Sequence, residues 1–320
     1  MRLFHQLGLL EEFKQVGAVH PGIQMRGPDD QIIVEMPNPG LGPDTPGNGA
    51  AMRPALGQML SDKVVEEGAN VRLGTTYTDI DINTGKVTFN DGSEATYNLI
   101  VGADGFWSKT RDMLFPNAPK AIFVKQGVWR AIVDRPSHLP TVSMWMGPHL
   151  KAGINHVSDT QSYLFLTEDK QENVKIPIEN FVRDLKALLL KFASPSLQKF
   201  AAELGDHSAI DYRPLENLLV GKPWHKGRVV LIGDAVHATT PHLASGALMG
   251  MEDGYVLAEE LAAQATREEA LTAFTERRFD RCRMVVENSG RLAEIEVEGG
   301  SHEEHGNLMR DSFIALAQPI

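Results

Sequence analysis

Two aspartates, each placed just after an apolar segment that contains or ends in glycine, are the best candidates for chemistry in this sequence. Asp104 follows the segment 98–102, and Asp234 follows the segment 228–233. Such segments are typical of buried strands, and ligands of open α/β sheets bind beyond the carboxyl ends of the strands. A carboxylate at that position can accept hydrogen bonds from the hydroxyl groups of a ligand. For Asp104, a helix cap is an alternative interpretation of equal weight.

The segment after Asp234 has further features of a ligand site. Pro241 stiffens the loop, and Gly246 would let the backbone approach a ligand closely. A helix is predicted over residues 247–263, and its N-terminal N–H groups and positive dipole end would face an anion or an electron-rich ring. A generic strand–loop–helix unit is the alternative, but the coincidence of these residue types favours a ligand site.

The elements that must position these residues follow an α/β pattern interrupted by a strand-rich insert. Helices are predicted over residues 3–16, 53–67, 177–204 with a break at Ser194-Pro195, 247–263 and 266–293. Strands are predicted over residues 70–74, 76–82, 86–89, 98–102, 128–133, 141–146, 162–166 and 228–233. The polar tail after Gly299-Gly300 is predicted to be loose. Two α/β segments, 1–115 and 225–265, therefore flank the insert, which indicates a nucleotide-binding domain interrupted by a sheet domain.

Composition restricts the class of protein. The 320 residues are 42% hydrophobic and 23% charged, which is ordinary for a globular protein. The net charge of −11 and the lack of a Lys/Arg-rich block argue against a nucleic-acid partner. No run of about 18 apolar residues predicts a membrane span, and the N-terminus does not read as a signal peptide. Cys282 is the only cysteine, which excludes an internal disulfide framework and suits a cytoplasmic protein.

Together, the two aspartate motifs resemble those of the FAD-dependent aromatic-ring hydroxylases, the group A flavoprotein monooxygenases, and in particular their salicylate-hydroxylase-like members. Residues 99–111 resemble the DG motif, which lies near both FAD and the nicotinamide cofactor. Residues 229–261 resemble the GD motif, whose Asp holds the ribityl chain of FAD. Arg53 with Leu56 and Leu60 is similar to the Arg-x-x-Leu-x-x-x-Leu helix, whose Arg contacts FAD. The resemblance extends over nearly the whole chain.

Two departures from the family pattern are present. Ser245-Gly246 and Leu248 stand where the family usually has Gln-Gly and Asn. The strand–GxGxxG–helix unit that cradles the FAD pyrophosphate in the family is absent from this sequence. The resemblance thus implies that the sequence starts about 45–60 residues inside the family fold. A truncated or non-catalytic remnant therefore stays open as an alternative, as does an FAD-dependent halogenase or reductase of the same superfamily.

The resemblance implies an α/β fold. An FAD-binding, Rossmann-like, three-layer domain, incomplete at its N-terminus, would carry an inserted, mostly antiparallel β-sheet domain that binds the substrate. The implied boundaries are 1–118 for the first part of the FAD-binding domain (with some substrate-domain strands near 20–50), 119–222 for the substrate domain, 223–265 for the second part of the FAD-binding domain and 266–320 for a C-terminal helical region.

The resemblance also implies a reaction. NADH or NADPH would reduce FAD, the reduced flavin would take up O₂ as a hydroperoxide, and an electron-rich ring would receive the distal oxygen. The substrate would be a small aromatic molecule with a phenolic or carboxylate group. Pro241 would border the site of the oxygen chemistry. The implied cofactor-binding residues are Arg53, Asp104, Asp234, Gly246, Ala247 and Leu248.

Residues for proton transfer and substrate binding have more than one interpretation. His207 and Tyr212 lie just before an Arg-Pro-Leu segment, where relatives place substrate-facing residues, so either could act as a base. The alternative for His207 is a solvated residue at a helix end. Arg130 could neutralise a substrate carboxylate or form a salt bridge on the sheet face. His237 is interpreted as structural, and no metal site is predicted.

Overall fold

The computed structural model describes residues 1–37, 40, 42 and 45–320 of the chain. The chain forms two units, and each unit is built from two separate segments. Unit 1 contains Met1–Asn70 and Lys125–Leu215, and unit 2 contains Val71–Val124 and Glu216–Ile320. The largest sheet belongs to unit 1, and both aspartate motifs belong to unit 2.

The secondary structure is mixed. The strands are β1 (Gly17–His20), β2 (Gly22–Arg26), β3 (Ile32–Pro37), β4 (Asn48–Ala51), β5 (Tyr77–Ile80), β6 (Lys86–Phe89), β7 (Glu94–Thr96), β8 (Ile100–Gly102), β9 (Ile122–Asp134), β10 (Val142–Gly147), β11 (Leu150–His156), β12 (Gln161–Asp169), β13 (Ile210–Asn217), β14 (His225–Lys226) and β15 (Val229–Leu231). The helices are α1 (Arg2–Gln6), α2 (Leu10–Val16), α3 (Arg53–Glu66), α4 (Lys109–Leu114), α5 (Phe181–Leu189), α6 (Pro195–Glu203), α7 (Asp234–His237), α8 (Gly246–Ala263), α9 (Arg267–Glu298) and α10 (His302–Ala317). Single 3₁₀ turns lie at Ile178–Asn180 and Pro241–Leu243.

Unit 1 is organised around a sheet with the strand order β13–β9–β12–β11–β10–β2–β3. β9, β12, β11 and β10 pair antiparallel in succession, and β10 pairs with β2 in parallel. Because side chains alternate between the faces of a strand, Trp129, Leu164 and Leu166 share one face. They form a core with Leu185 and Leu189 of α5, and burying each such side chain stabilises the fold by about 1.5–3 kcal/mol.

Unit 2 contains the sheet β14–β15–β8, the antiparallel sheet β5–β6–β7 and the long helices. β15 pairs antiparallel with β14 and in parallel with β8. Val230 and Leu231 of β15 are fully buried and belong to a core that includes Val256 of α8 and Phe274 of α9. This packing fixes the carboxyl end of β15 relative to the two helices.

Most predicted elements are confirmed, among them the helix after the second aspartate motif and the strands of the insert. The helix predicted over 3–16 is interrupted at residues 7–9, where Gly8 adopts a φ of 69°. The strand predicted over 70–74 is wrong: the segment has no strand partner, and Leu73 is 90% exposed. The prediction of a loose tail is also wrong, because the tail forms the helix α10. Ser301 caps this helix by accepting a hydrogen bond from the Glu304 N–H at 3.2 Å.

Among the described residues, no helix is both long enough and apolar enough to cross a bilayer.

Candidate functional site

The two aspartate motifs lie at the same edge of one sheet. β8 and β15 run parallel, with Gly102 paired to Leu231, and the Ile232 N–H donates to the Gly102 carbonyl oxygen at 3.1 Å. Asp104 and Asp234 therefore both follow the carboxyl ends of neighbouring parallel strands. This is the edge at which open α/β sheets bind their ligands.

Asp104 shares the capping of the helix α4 with Ser108, which is the N-cap residue and accepts a hydrogen bond from the Arg111 N–H at 2.8 Å. Its carboxylate accepts hydrogen bonds from Ser108 Oγ at 2.5 Å, from the Thr110 N–H at 2.9 Å and from Thr110 Oγ1 at 2.8 Å. Partial burial raises the pKa of Asp104, but these hydrogen bonds outweigh it and hold the pKa below the usual value. The helix-cap interpretation is thus confirmed in part, since Asp104 accepts from one N–H of the first turn while Ser108 is the N-cap residue. A role of Asp104 beside FAD stays a prediction.

Asp234 is presented by a sharp change of backbone direction. Gly233, with φ 62° and ψ −143°, ends the strand in a conformation that is essentially restricted to glycine. Asp234 then begins the four-residue helix α7, and its side chain is exposed. Within the described part of the chain, no hydrogen bond or ion pair to the Asp234 carboxylate is found. The carboxylate is therefore available to accept hydrogen bonds from a ligand.

The N-terminus of α8 lies beside this strand end. A Cβ on Gly233 would lie 3.6 Å from the Gly250 Cα, so β15 ends close to the first turns of α8. Ser245 precedes the helix without capping it, because its Oγ donates to the Leu243 carbonyl oxygen at 2.7 Å. The N–H groups of the first turn have no intrahelical acceptors. They are those of Gly246, Ala247 and Leu248, of which Ala247 is exposed.

Pro241 occupies the first position of the 3₁₀ turn that leads to α8, and it is exposed. Ala244 closes the turn in the left-handed conformation, with a φ of 50°. A Cβ on Gly246 would lie 3.2 Å from Thr239 Cγ2, so the glycine allows the loop to pack tightly before the helix begins. The loop therefore has a defined course.

A buried cluster of charged side chains, which the sequence did not reveal, supports α7 through contacts at both of its ends. Asp253 of α8 accepts hydrogen bonds from the Gly233 N–H at 2.8 Å, from His237 Nε2 at 2.6 Å and from Arg278 Nε at 2.8 Å. Arg278 also donates to Glu252 at 2.8 Å. Burial lowers the pKa of His237, but Cys282 and the Asp253 carboxylate outweigh it and raise the pKa well above its ordinary value.

The structural role expected of His237 agrees with this contact. Asp253 and Arg278 were not foreseen, because an acid inside an apolar helix and a base in a charged helix give no sign of pairing 25 residues apart. His237, Asp253 and Cys282 place one potential metal ligand each within 4.8 Å of one another. The Arg278 guanidinium already holds one Asp253 oxygen, and its charge opposes a cation, so an ion-pair network explains the cluster better than a metal site.

Arg53 and Arg130 belong to unit 1. Arg53 is exposed at the first position of α3. Arg130 on β9 donates through Nε to Tyr163 Oη at 2.5 Å and lies 3.7 Å from Asp211. Burial raises the pKa of Tyr163, although Arg130 and Arg53 both oppose this. The salt bridge on the sheet face is therefore observed, and binding of a substrate carboxylate stays a prediction.

The two candidate bases differ in environment. His207 is exposed in the turn after α6, as its alternative interpretation expects. Tyr212 on β13 is 6% exposed, and its hydroxyl has no hydrogen-bond partner among the described residues. Burial, assisted by Glu168, raises the pKa of Tyr212 to about 12, which makes ionisation near neutral pH unfavourable.

Comparisons with known proteins identify the family of the chain. The family described as FAD binding domain matches residues 1–289. The chain is 30% identical over 286 residues to the 2-heptyl-3-hydroxy-4(1H)-quinolone synthase of Pseudomonas aeruginosa, covering 86% of this chain and 72% of the relative. It is 27% identical over 217 residues to the FAD-dependent urate hydroxylase of Klebsiella pneumoniae, covering 65% of this chain and 55% of the relative.

The fold agrees as well. The crystal structure of Klebsiella pneumoniae HpxO complexed with FAD and uric acid superposes with a TM-score of 0.79 at 21% identity, covering 99% of this chain and 81% of that one. With the family match over residues 1–289, the chain belongs to the FAD binding domain family and, within it, to the FAD-dependent aromatic-ring hydroxylases, a class of monooxygenases.

Proposed function

We propose that this protein uses FAD and NADH or NADPH to hydroxylate a small aromatic molecule that carries a phenolic or carboxylate group. The observation that carries the proposal is the exposed carboxylate of Asp234, which has no partner among the described residues and lies at the sheet edge beside the N-terminus of α8. The aromatic substrate class is supported by urate and quinolone in the names of the relatives.

The residues at this edge fit FAD chemically. A ribityl chain offers hydroxyl groups, and the free Asp234 carboxylate would accept hydrogen bonds from them. The carbonyl edge of the flavin ring becomes more negative on reduction, and the uncapped N–H groups of Gly246, Ala247 and Leu248 would stabilise that charge. When bound, the flavin would supply hydride acceptance from the nicotinamide and activation of O₂.

The remaining predicted residues take supporting roles in the proposal. Arg53 would contact the phosphate or ribityl groups of FAD, and Pro241 would exclude water from the reacting face. Asp104 would organise the region near the nicotinamide through the helix that it helps to cap. These roles are supported by the resemblance and by the exposure of Arg53 and Pro241.

Substrate binding and proton transfer are assigned to unit 1. Arg130 keeps donors beyond its contacts with Tyr163 and Asp211, because a guanidinium has five N–H groups, and these would bind a substrate carboxylate. His207 would take the proton of a phenol, since an ionised phenol is the better nucleophile. Tyr212 is the weaker candidate because of its raised pKa.

The test begins with flavin binding. The purified chain is titrated with FAD, and we expect a visible flavin spectrum with saturable binding. Asp234→Ala should weaken this binding so far that the flavin is not retained through gel filtration, while titration still gives a dissociation constant. The matched control is Asp280→Asn, which changes an exposed aspartate on α9 and should bind FAD as the wild type does. Retention of flavin at wild-type stoichiometry by Asp234→Ala would remove Asp234 from the cofactor site.

The second stage follows turnover. Phenols and aromatic carboxylates are screened for stimulation of NADH or NADPH oxidation, and products are examined by mass spectrometry for one oxygen atom from isotopically labelled O₂. Nicotinamide oxidation without oxygen transfer to any aromatic compound would contradict the proposed hydroxylation. An unchanged pH–rate profile in His207→Ala would exclude His207 as the base.

A further inference from the structure

One buried carboxylate holds both ends of the short helix that carries Asp234. Asp253 Oδ2 accepts from the Gly233 N–H, just before α7, and from His237 Nε2, at the last residue of α7, at 2.8 and 2.6 Å. α7 has four residues, and a single turn gains too few internal hydrogen bonds to be stable by itself. Its orientation therefore depends on contacts with the rest of unit 2, and Asp253 supplies the contacts at both ends.

We propose that Asp253, through His237, is the positioning residue of the cofactor site, and that it fixes the direction in which Asp234 presents its carboxylate. This inference rests on the proposed function, since it assigns Asp234 to FAD. It adds a residue that has no exposed surface and makes no contact with the ligand itself.

Burial makes the arrangement rigid. Asp253 and Arg278 are fully buried, and His237 is 1% exposed. Buried side chains stay charged only when they are paired with an opposite charge, because an unpaired buried charge is strongly unfavourable. Arg278 Nε holds Asp253 Oδ1 at 2.8 Å, which leaves Oδ2 directed at α7. The side chain of Asp253 thus has one favourable orientation.

The Asp234 carboxylate has no such support. It is exposed and has no partner in the described part of the chain, so the backbone of α7 sets the position from which its rotamers can reach a ligand. A small rotation of α7 about Gly233 would displace the carboxylate from a ribityl chain without unfolding the sheet. Positioning by Asp253 therefore affects cofactor affinity more than stability.

The cluster itself provides a matched control. Glu252 accepts from Arg278 Nη1 at 2.8 Å and from Arg281 Nε and Nη2 at 2.9 and 3.0 Å. It is as buried as Asp253 but has no contact with Gly233 or His237. Glu252→Gln should therefore lower the thermal midpoint and leave the affinity for FAD within about threefold of the wild type, as a change of less than about 0.7 kcal/mol.

The experiment compares FAD dissociation constants of the full chain and its variants. We expect His237→Ala to weaken FAD binding at least tenfold and His237→Gln, which keeps a side-chain N–H donor, to recover most of the loss. Asp253→Asn should behave like His237→Ala. In an Asp234→Ala background, His237→Ala should cause little further loss, because both changes remove the same interaction.

A second readout does not depend on FAD. Amide hydrogen exchange over residues 233–238 should accelerate in His237→Ala and not in Glu252→Gln, measured in the flavin-free protein. Equal loss of FAD affinity in these two variants, or additive loss with Asp234→Ala, would overturn the positioning role. No FAD binding by the wild type would overturn the proposed function and the cofactor role of Asp253 together, while hydrogen exchange would still decide whether Asp253 holds α7.

Discussion

The guanidinium of Arg111 donates a hydrogen bond from Nη1 to the main-chain carbonyl oxygen of Ala235 at 3.2 Å, across 124 residues of sequence. The same nitrogen donates to the Phe106 carbonyl oxygen at 3.0 Å. One buried side chain therefore joins the two aspartate motifs, and each motif depends on the other for its backbone course. This contact, together with the pairing of their strands, holds Asp104 and Asp234 at one edge of the sheet.

Replacement of Arg111 tests this connection. Arg111→Ala removes a donor from one buried and one partly buried carbonyl oxygen, and we expect a loss of about 1–3 kcal/mol in the free energy of unfolding. Arg283→Ala, which removes an exposed arginine paired with Asp280, should cost less than about 0.5 kcal/mol. Urea denaturation measures the free energy of unfolding of both variants. Equal losses would show that the Arg111 hydrogen bonds do not stabilise the two motifs.

Tyr212→Phe should not weaken the fold. The Tyr212 hydroxyl is buried without a partner among the described residues, and its removal should raise the free energy of unfolding by about 1 kcal/mol or leave it unchanged. Tyr163→Phe is the control, since it deletes the acceptor of the Arg130 hydrogen bond and should be destabilising. A stable Tyr212→Phe protein without turnover would restore Tyr212 as the base, and marked destabilisation would contradict the packing argument.

The stability of the protein should fall in mild acid because of His20. This side chain is 4% exposed, with no partner for Nε2 within the described part of the chain. Burial, aided by His156 and Arg135, lowers the pKa of His20 to about 4. Because the unfolded chain binds the proton near pH 6.5 and the folded chain does not, stability is complete above that pH and falls between pH 6.5 and 4, by up to about 1.4 kcal/mol per pH unit.

The measurement is thermal or urea unfolding as a function of pH in wild type and His20→Leu. Between pH 6.5 and 4, the free energy of unfolding of His20→Leu should fall less steeply with decreasing pH than that of the wild type. His207→Asn, which changes an exposed histidine, should keep the wild-type slope. Part of the slope will persist, because burial also lowers the pKa of His156, with Arg135 acting in the same direction. A slope unchanged in His20→Leu would mean that His20 is protonated in the folded chain.

Ser301→Ala tests the cap that the loose-tail prediction overlooked. Loss of the hydrogen bond from the Glu304 N–H should lower the free energy of unfolding by about 1 kcal/mol, and Ser301→Asp should restore it. Circular dichroism during urea unfolding reports both. An Ala variant as stable as the wild type would indicate that packing against α9 alone maintains α10.

The sequence was most informative where structure is local. Pro54 in the first turn of α3 marks a helix start, and Ser194-Pro195 marks a break between two helical segments. Both are observed, with Pro195 as the first residue of α6. The prediction at residues 70–74 fails because β-propensity says nothing about whether a partner strand is present. The fold class and the two aspartates followed from apolar strands that end at a turn. The Asp253–Arg278 pair could not be predicted from the sequence, since only the packing of α8 on α9 brings those charges together.

The parallel pairing of β2 with β10 has a consequence for biosynthesis. Ile23 lies opposite Val142 in the sheet, so the ribosome must add more than a hundred residues before the first of these strands meets its neighbour. At about 5–20 residues per second, β2 is without this neighbour for roughly 6–24 seconds. Closing a loop of that length is also slow. During this interval the nascent chain presents an unpaired strand edge, a feature that favours aggregation during folding.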